Sequence, residues 1–204
     1  MNGRQIERAT VSRMGRGTGC AGLLLCAAIS GWAGCQAAPT RIDLVTYDPD
    51  GSAQRHYADF QEGYYRLTSN GGIELALRCE QPSQKDPTQT ITQVVYLKAF
   101  WIPRPGKTFA EPSQLNAHLY YAVWTPPTGV RYDGAGFATF HLDSSSAILT
   151  GRIESGILSP RFRVGNAAEP FGTARFTGRF QAREDPGRVI ALLQKLESEF
   201  SRPL

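Results

Sequence analysis

The chain contains few cysteines, and their placement limits how its structure can be stabilised. Of four cysteines in 204 residues, three lie within the first 35 and only Cys79 lies beyond them. The region after residue 35 therefore cannot form an internal disulfide, and we expect it to depend on a hydrophobic core. About 165 residues are enough for one ordinary domain with such a core.

The sequence also lacks an apolar run long enough to cross a bilayer. The run near the amino terminus covers residues 20–33, about 14 positions, and is interrupted by Ser30 and by glycines. A transmembrane helix needs roughly 20 predominantly apolar residues. We therefore do not expect a permanent transmembrane span in this region.

Common catalytic motifs are absent as well. The chain has no phosphate-binding loop of the form G-x-x-x-x-G-K-[ST], and it has no G-x-S-x-G, H-E-x-x-H or C-x-x-C motif. Because catalytic triads are assembled in space rather than in sequence, these absences weaken an enzymatic function without excluding it. The sequence predicts no catalytic residue, no cofactor and no metal site, and it favours a non-enzymatic role.

The positive charge is concentrated at the amino terminus. Much of the formal net charge of +4 comes from four arginines, Arg4, Arg8, Arg13 and Arg16. Residues 35–204 keep 18 of the 22 basic and 17 of the 18 acidic side chains, which leaves a net charge of about +1. A nucleic-acid-binding domain is expected to carry a concentrated basic face, so we expect no nucleic-acid partner.

The first 35 residues have the layout of a secretory signal peptide. The four arginines precede the apolar run, and small residues then lead to Cys35. The segment Trp32-Ala33-Gly34-Cys35 resembles the lipobox of bacterial lipoproteins, in which a peptidase cuts before a cysteine that carries diacylglycerol. The resemblance covers this segment only. It implies a signal peptide over residues 1–34 and a lipidated Cys35.

The same resemblance indicates where the protein is held. A triacylated cysteine would anchor it stably, because more than one acyl chain is needed for lasting attachment. Residues 35–40 would then form the lipidated cysteine and a tether, in which five extended residues reach at most about 17 Å. In the family's sorting pattern, Gln36 in place of aspartate implies the outer membrane. The alternative is an ordinary secretory signal cut after Ala33 or Ala37-Ala38.

Two-residue periodicity dominates the rest of the chain and predicts mainly antiparallel β-structure. Asp48-Pro49-Asp50-Gly51 reads as a turn, and Ser69-Asn70-Gly71-Gly72 as the turn of a hairpin. The alternation in Thr173–Arg183 is typical of a half-buried strand, and residues 91–102 are apolar on both faces, as in a central strand. Further strands are expected at Tyr64–Thr68, Ile73–Cys79, Leu115–Trp124, Gly136–Leu142, Ala147–Glu154 and Ile157–Val164.

A helix is expected to close the chain over residues 186–200. Asp185 suits the N-cap and Pro186 suits the first helical position. Apolar residues then recur at helical spacing, namely Val189, Leu192, Leu193, Leu196 and Phe200. About eight strands and one helix predict a single β-rich domain over residues 41–204, an antiparallel sandwich or barrel whose helix covers a sheet face or a barrel mouth.

Aromatic residues are candidates for ligand contact. Phe100, Trp101, Tyr120, Tyr121 and Trp124 cluster on two strands that we expect to be neighbours. Core packing is the default explanation. The alternative is a glycan- or lipid-binding groove, in which exposed rings stack on sugars or line an apolar pocket. Trp101, Tyr120 and Trp124 form the candidate ligand surface, and the loops 81–90 and 103–114 are long enough to contribute.

Histidine and serine residues offer other candidates. His118 and His141, with Asp143 or Glu62, would make a metal site if their strands paired. No short ligand spacing supports it, so unrelated histidines are favoured. Asp143-Ser144-Ser145-Ser146 is interpreted as a polar turn rather than a nucleophile loop.

One strand also carries a row of positive charges. Arg175, Arg179 and Arg183 share the solvated face of the strand at 173–183. The row would suit anionic lipid headgroups or an acidic partner, although an ordinary solvated face explains it too.

These observations predict an exported bacterial lipoprotein of the cell envelope that acts as a non-enzymatic binding or accessory module. Its partners would be the membrane, through the lipid anchor, and a glycan, a lipid or an envelope protein. Two alternatives stay open at this point. One is a carrier of lipid or of a small apolar ligand in a barrel-like interior, and the other is a hydrolase with an unrecognised site.

Overall fold

The computed structural model describes residues 40–200, apart from residues 49, 84–85, 103–114, 144 and 168–169. The expected signal peptide, Cys35 and most of the tether therefore lie outside the described residues, as does the predicted loop 103–114. The described residues belong to one compact unit.

Nine strands and one helix make up the described part of the chain, and the prediction of a mainly antiparallel β-domain with a C-terminal helix is confirmed. The elements are β1 Thr40–Tyr47, β2 Ala53–Phe60, β3 Glu62–Leu67, β4 Ile73–Pro82, β5 Thr90–Ala99, β6 Ala117–Thr125, β7 Thr128–Asp143, β8 Ile148–Val164, β9 Ala174–Glu184 and α1 Pro186–Phe200. The two strands predicted at 147–154 and 157–164 form the single strand β8, and β7 begins eight residues earlier than predicted.

Seven of the strands close into a barrel. Strands β3 to β9 follow one another around it, and β9 meets β3 through two parallel pairs, Tyr64 with Arg183 and Tyr65 with Glu184. The amide nitrogen of Asp185 adds a hydrogen bond to the carbonyl oxygen of Tyr65 at this seam. Strand β1 pairs with residues 174–179 of β9, on the same edge of β9 that meets β3 further along the strand. Strand β2 pairs in turn with β1, so β1 and β2 extend the wall beyond the barrel.

The two predicted turns have the geometry that their glycines allow. In the turn from β1 to β2, Gly51 has a φ of 84° and its amide nitrogen donates to the carbonyl oxygen of Asp48. In the turn from β3 to β4, Gly71 has a φ of 77° and donates to Thr68 in the same way. A residue with a Cβ would be strained in this left-handed region, which is why glycine marks both turns.

The interior of the barrel is filled by its own side chains. The alternation in β9 turns Phe176 and Phe180 inward, as predicted, and both are buried. The rings of Tyr121, Tyr132 and Phe171 pack against one another at centroid distances of 4.7–6.1 Å, and Phe176 lies 6.2 Å from Tyr121. Leucines of four barrel strands belong to the same core, namely Leu75, Leu97, Leu119 and Leu158. Leu44 of β1 joins this core from the part of the wall beside the barrel. A small barrel is expected to have such a side-chain-filled core.

The C-terminal helix lies on the outside of the barrel, against the face of β3 to β6. Val189, Leu196 and Phe200 of α1 are buried in a second apolar cluster with residues of these four strands, among them Tyr96 and Trp124. Strands β4 and β5 are therefore covered on both faces, which confirms the predicted central strand as far as Ala99. The last three residues of that prediction, 100–102, lie beyond β5, and Phe100 and Ile102 are exposed. Of the two positions that the sequence allowed for the helix, the structure shows the sheet face.

The N-cap of α1 provides a test of how the start of this helix is stabilised. The Oδ1 atom of Asp185 accepts a hydrogen bond of 2.9 Å from the amide nitrogen of Arg188, three residues on. We expect Asp185→Ala to lower the free energy of unfolding by about 1 kcal/mol, because one amide at the helix start loses its partner. Urea unfolding would measure this change in the free energy of unfolding. The exposed helix residue Glu197 is the control, and equal losses in Asp185→Ala and Glu197→Ala would contradict the capping role.

Candidate functional site

Three arginines stand side by side on the outer face of the wall formed by β1, β9 and β8. The strand register places Arg179 of β9 directly opposite Arg41 of β1 on one side and Arg152 of β8 on the other. Residues directly opposite on neighbouring strands have Cβ atoms about 4.5–5.5 Å apart, and like charges at such positions destabilise a sheet. We call Arg41, Arg179 and Arg152 the arginine row.

The arginine row lies in a concave part of the surface. A groove of about 670 Å³ contains all three side chains together with Arg55 and the two acids Asp43 and Glu154. Strand β8 bulges beside this groove, because its pairing with β9 is interrupted between Ile153 and Ile157. A bulge bends its strand away from a flat sheet, which accounts for the hollow.

The acids of the groove only partly neutralise its arginines. Arg41 Nε lies 3.9 Å from Asp43 Oδ1, and Arg152 Nε lies 3.7 Å from Glu154 Oε1. Arg179 forms no ion pair with any residue of the described segments. Elsewhere on the barrel, arginines meet their acids at contact distance, as Arg131 does through hydrogen bonds of 2.8 and 3.0 Å. Arg41 also lies directly opposite Asp59 of β2 in the strand register, so the positive field that the groove retains is centred on Arg179.

The arginine row is accessible to solvent, and an aromatic ring packs against one of its members, Arg41. The side chains of Arg152 and Arg41 are 72% and 39% exposed. The guanidinium carbon of Arg41 lies 4.0 Å from the centroid of the Tyr57 ring, a cation–π contact that orients the side chain without neutralising it. An incoming anion would find these groups accessible and charged.

A second groove adjoins the first. It measures about 490 Å³, shares Arg152 and Arg179 with the first groove, and is also lined by Gly151, His141 and Gln181. The rings of Phe140 and Phe180 lie 5.8 Å apart on the other face of the sheet, where they pack in the barrel core. Between them glycine is required at position 151, because a Cβ there would come within 2.4 Å of the Phe180 ring.

The arginine row was only partly visible in the sequence. The predicted row of Arg175, Arg179 and Arg183 does lie on the outer face of β9, and all three are exposed. The three arginines have different neighbours on the adjacent strands. Arg175 faces apolar residues of β1 and β8, whereas Arg183 donates a hydrogen bond to the hydroxyl of Tyr64. Arg41 and Arg152 were missed, because their place beside Arg179 depends on strand pairings that sequence periodicity does not specify.

The three aromatic residues predicted as a ligand surface occupy different environments. Trp124 is 4% exposed beneath α1, with its ring perpendicular to that of Phe200 at 6.1 Å. Tyr120 is half-buried on the same outer face and stacks on Tyr96 at 5.8 Å. Trp101 lies just beyond β5, where its indole Nε1 donates to the carbonyl oxygen of Leu115. Trp101 and Trp124 are thus at opposite ends of β6, about 30 Å apart for nine residues.

The histidines and serines considered in the sequence also lie apart. Strands β6 and β7 do pair, but His118 faces Ala135, six residues or about 20 Å from His141. The hydroxyls of Ser145 and Ser146 donate to the exposed Asp143, and these hydrogen bonds hold the pKa of its carboxyl near 2. This arrangement is a polar turn, as predicted.

The interior polar groups are held in their neutral forms. Cys79 is a free, buried thiol, as predicted, and burial raises its pKa to about 11. Burial likewise raises the pKa of Tyr132 to about 12, and that of Tyr121, whose hydroxyl donates to Gln93 Oε1 at 2.5 Å. None of these groups is ionised near neutral pH, so the barrel interior is uncharged around them.

Comparisons with protein-family models, with curated proteins and with solved structures gave no match for this chain. Within residues 40–200, leaving aside the gaps given above, no group of three or more histidine, cysteine or acidic residues is placed to hold a metal ion. In the same part of the chain no helix has the length and apolar character needed to cross a membrane. What the fold defines is a side-chain-filled, seven-stranded barrel with a cationic groove on its outer wall.

Proposed function

We propose that the protein is a lipid-anchored lipoprotein of the bacterial cell envelope, and that its barrel is a non-enzymatic module that binds a partner on its outer wall. The observation that carries the binding role is the arginine row, where three like charges stand on neighbouring strands of one groove. A fold is expected to keep such an arrangement where it serves recognition, because it weakens the sheet in the absence of an anion.

The filled interior supports binding outside the barrel over a carrier role. Tyr65, Tyr132 and Phe176 are among the largest fully buried side chains, and they occupy the space that an enclosed ligand would need. A carrier barrel keeps a cavity for its ligand, whereas this interior is a packed core.

The anchoring half of the proposal comes from the lipobox-like segment before Cys35. We expect Cys35→Ser to abolish incorporation of radiolabelled palmitate and to move the protein from the detergent phase to the aqueous phase in Triton X-114 partitioning. The physical reason is that the serine hydroxyl cannot form the thioether that links diacylglycerol to the mature amino terminus. Growth of the host with labelled palmitate, followed by immunoprecipitation, would measure the incorporation.

Cys79→Ser is the matched control, because it removes the one cysteine beyond the amino-terminal segment and leaves Cys35 in place. Labelling that persists in Cys35→Ser would show that the protein is not anchored through this sulfur. An ordinary secretory signal would then be the better explanation. Native mass spectrometry of the protein from its host tests the carrier role separately, since a retained apolar ligand of defined mass would contradict the filled-barrel argument.

A further inference from the structure

We propose that the protein pairs with a second copy of itself through the free edge of β2, in an antiparallel arrangement centred on Tyr57. Backbone hydrogen bonds across a two-fold axis would join the two sheets into one. Arg55 of each copy would face Asp59 of the other. This pairing goes beyond the proposed function, and it depends neither on the lipid anchor nor on what the arginine row binds.

Strand β2 lies at one end of the strand order and has a free edge. It pairs with β1 along its whole length, and no strand of the described segments pairs with its other edge. The strand has eight residues, contains no proline and shows no bulge in its pairing with β1. Proteins usually shorten, bend or cover such an edge, because its unpaired backbone groups can bind another strand. The edge of β2 is therefore suited to a further strand.

The register of the β1–β2 hairpin shows which backbone groups of β2 are free. The amide nitrogen of Asp48 donates to the carbonyl oxygen of Ser52, so Gln54 and every second residue after it bond to β1. The N–H and C=O groups of the odd-numbered residues of β2 therefore point to the free edge. One of these groups, the carbonyl oxygen of Asp59, accepts a hydrogen bond of 3.4 Å from the side chain of Gln61, which an added strand can replace.

The side chains of the odd-numbered residues carry groups that suit a second copy. Arg55 and Asp59 are exposed, and neither forms an ion pair with any residue in the described parts of the chain. Tyr57 lies between them and is 62% exposed. All three side chains are on the outer face of the sheet, where the Tyr57 ring packs against Arg41. The edge thus presents a positive charge, a ring and a negative charge in order.

This order of side chains is complementary to itself when the strand is reversed. Pairing centred on Tyr57 places Arg55 opposite Asp59 on both sides of the axis and brings the two tyrosine rings together. Opposite charges and aromatic rings at facing positions stabilise a strand pair. A register centred on Arg55 or on Asp59 would instead place like charges opposite each other, which is destabilising. Only the register centred on Tyr57 pairs both charges with their opposites.

The pairing would also join the two arginine rows on one surface. Asp59 lies opposite Arg41 of its own chain, and its other neighbour would be Arg55 of the second copy. Strands β8, β9, β1 and β2 of each copy would form one continuous wall. Because the axis is perpendicular to the sheet, both grooves would open on the same side of this wall.

Charge reversal at the edge tests the pairing. Sedimentation equilibrium of the full chain, in a neutral detergent of matched density, would measure the dissociation constant of the dimer. We expect Arg55→Asp to weaken dimer formation by about tenfold or more, because two repulsive contacts replace two attractive ones. Arg55 faces the apolar Val45 on β1, so this change leaves the ion pairs of its own chain intact. Asp59→Arg should weaken the dimer to a similar extent.

The double variant Arg55→Asp/Asp59→Arg distinguishes a facing pair from an effect of net charge. It restores opposite charges across the axis, so we expect its dissociation constant to return to within about threefold of the original value. Arg161→Asp is the matched control, because Arg161 is exposed on β8, away from this edge. It should change the dissociation constant by about twofold or less. Urea unfolding of each variant would show that it folds.

A cysteine at the axis provides a second measurement. In a hydrogen-bonded antiparallel pair, facing Cα atoms are about 5.5 Å apart, within the range of roughly 4.4–6.8 Å that a disulfide spans. We expect mild oxidation of Tyr57→Cys to link two chains, seen as a dimer on a non-reducing gel. Ala53→Cys is the matched control, because its two copies would lie eight residues apart, about 26 Å. The unchanged chain gives the background from its own cysteines.

Several results would overturn the proposed pairing. One is a chain that stays monomeric over the whole concentration range and gives no cross-link in Tyr57→Cys. A dimer that withstands Arg55→Asp, or equal cross-linking of Tyr57→Cys and Ala53→Cys, would place the contact elsewhere. A double variant as weak as the single ones would show that the two charges do not face each other. Palmitate labelling of Cys35 tests the anchor independently of all these measurements.

Discussion

Replacing Phe176 by alanine should lower the free energy of unfolding by about 3–5 kcal/mol. Phe176 is completely buried, and it lies on β9, the strand that pairs with β8, β1 and β3. Its ring packs within the main core, 6.2 Å from that of Tyr121, and its neighbours are held by the strands on which they lie, so they cannot move far enough to fill the space that the ring leaves. The loss therefore includes the transfer free energy of the ring and the cost of the cavity. Urea unfolding followed by tryptophan fluorescence would measure it.

Phe100→Ala is the control for this measurement, because the Phe100 side chain is 49% exposed just beyond β5. We expect it to cost about 1 kcal/mol or less, as is usual for a substitution outside the core. The comparison also bears on function. A loss below about 1 kcal/mol for Phe176→Ala would mean that the interior has room to adjust, as a carrier would need, and it would contradict the packed core that we infer.

Replacing Trp124 by alanine should also lower the free energy of unfolding by about 3–5 kcal/mol, because its ring belongs to the second apolar cluster, beneath α1. The Trp124 ring meets Phe200 edge-on and lies 5.8 Å from the ammonium nitrogen of Lys195, so it forms much of the surface on which α1 rests. Its removal should loosen the helix from the sheet. Circular dichroism at 222 nm during thermal unfolding would show helix loss that precedes loss of the barrel.

Trp101→Ala is the matched variant, because it removes the same side chain from a partly exposed position. Its ring contacts Phe137 at 6.0 Å and its Nε1 makes one hydrogen bond to the backbone, so we expect a loss of about 1–2 kcal/mol. Trp124 was predicted as part of a ligand surface. Full stability of Trp124→Ala would favour that role over the structural one, whereas the expected loss assigns the ring to the packing of α1.

Local sequence signals predicted the elements whose structure depends on near neighbours. The helix occupies residues 186–200 because Asp185 caps it and one apolar stripe faces the sheet. The β3–β4 hairpin forms where Asn70-Gly71 supplies the turn. Both signals act within a few residues, so they can be read directly from the sequence.

The strands that the sequence missed or divided carry glycines for reasons that are not local. The start of β7 contains Gly134, where a Cβ would come within 1.8 Å of the carbonyl oxygen of Ile157 on β8. A close approach of two backbones requires glycine here, although glycine in a sequence normally indicates a turn. For the same reason Ser155-Gly156 reads as a break between strands, whereas it is a bulge within β8.

The sequence by itself determined the class of fold, the capped helix, the inward and outward faces of β9 and the presence of exposed arginines on that strand. It did so because side-chain alternation and capping are set by residues next to one another. Only the tertiary structure decided that the sheet closes, through Tyr64 with Arg183 and Tyr65 with Glu184, and that Arg41 and Arg152 flank Arg179. Each of these depends on hydrogen-bond register between strands far apart in the chain, where a shift of one residue turns every side chain to the opposite face.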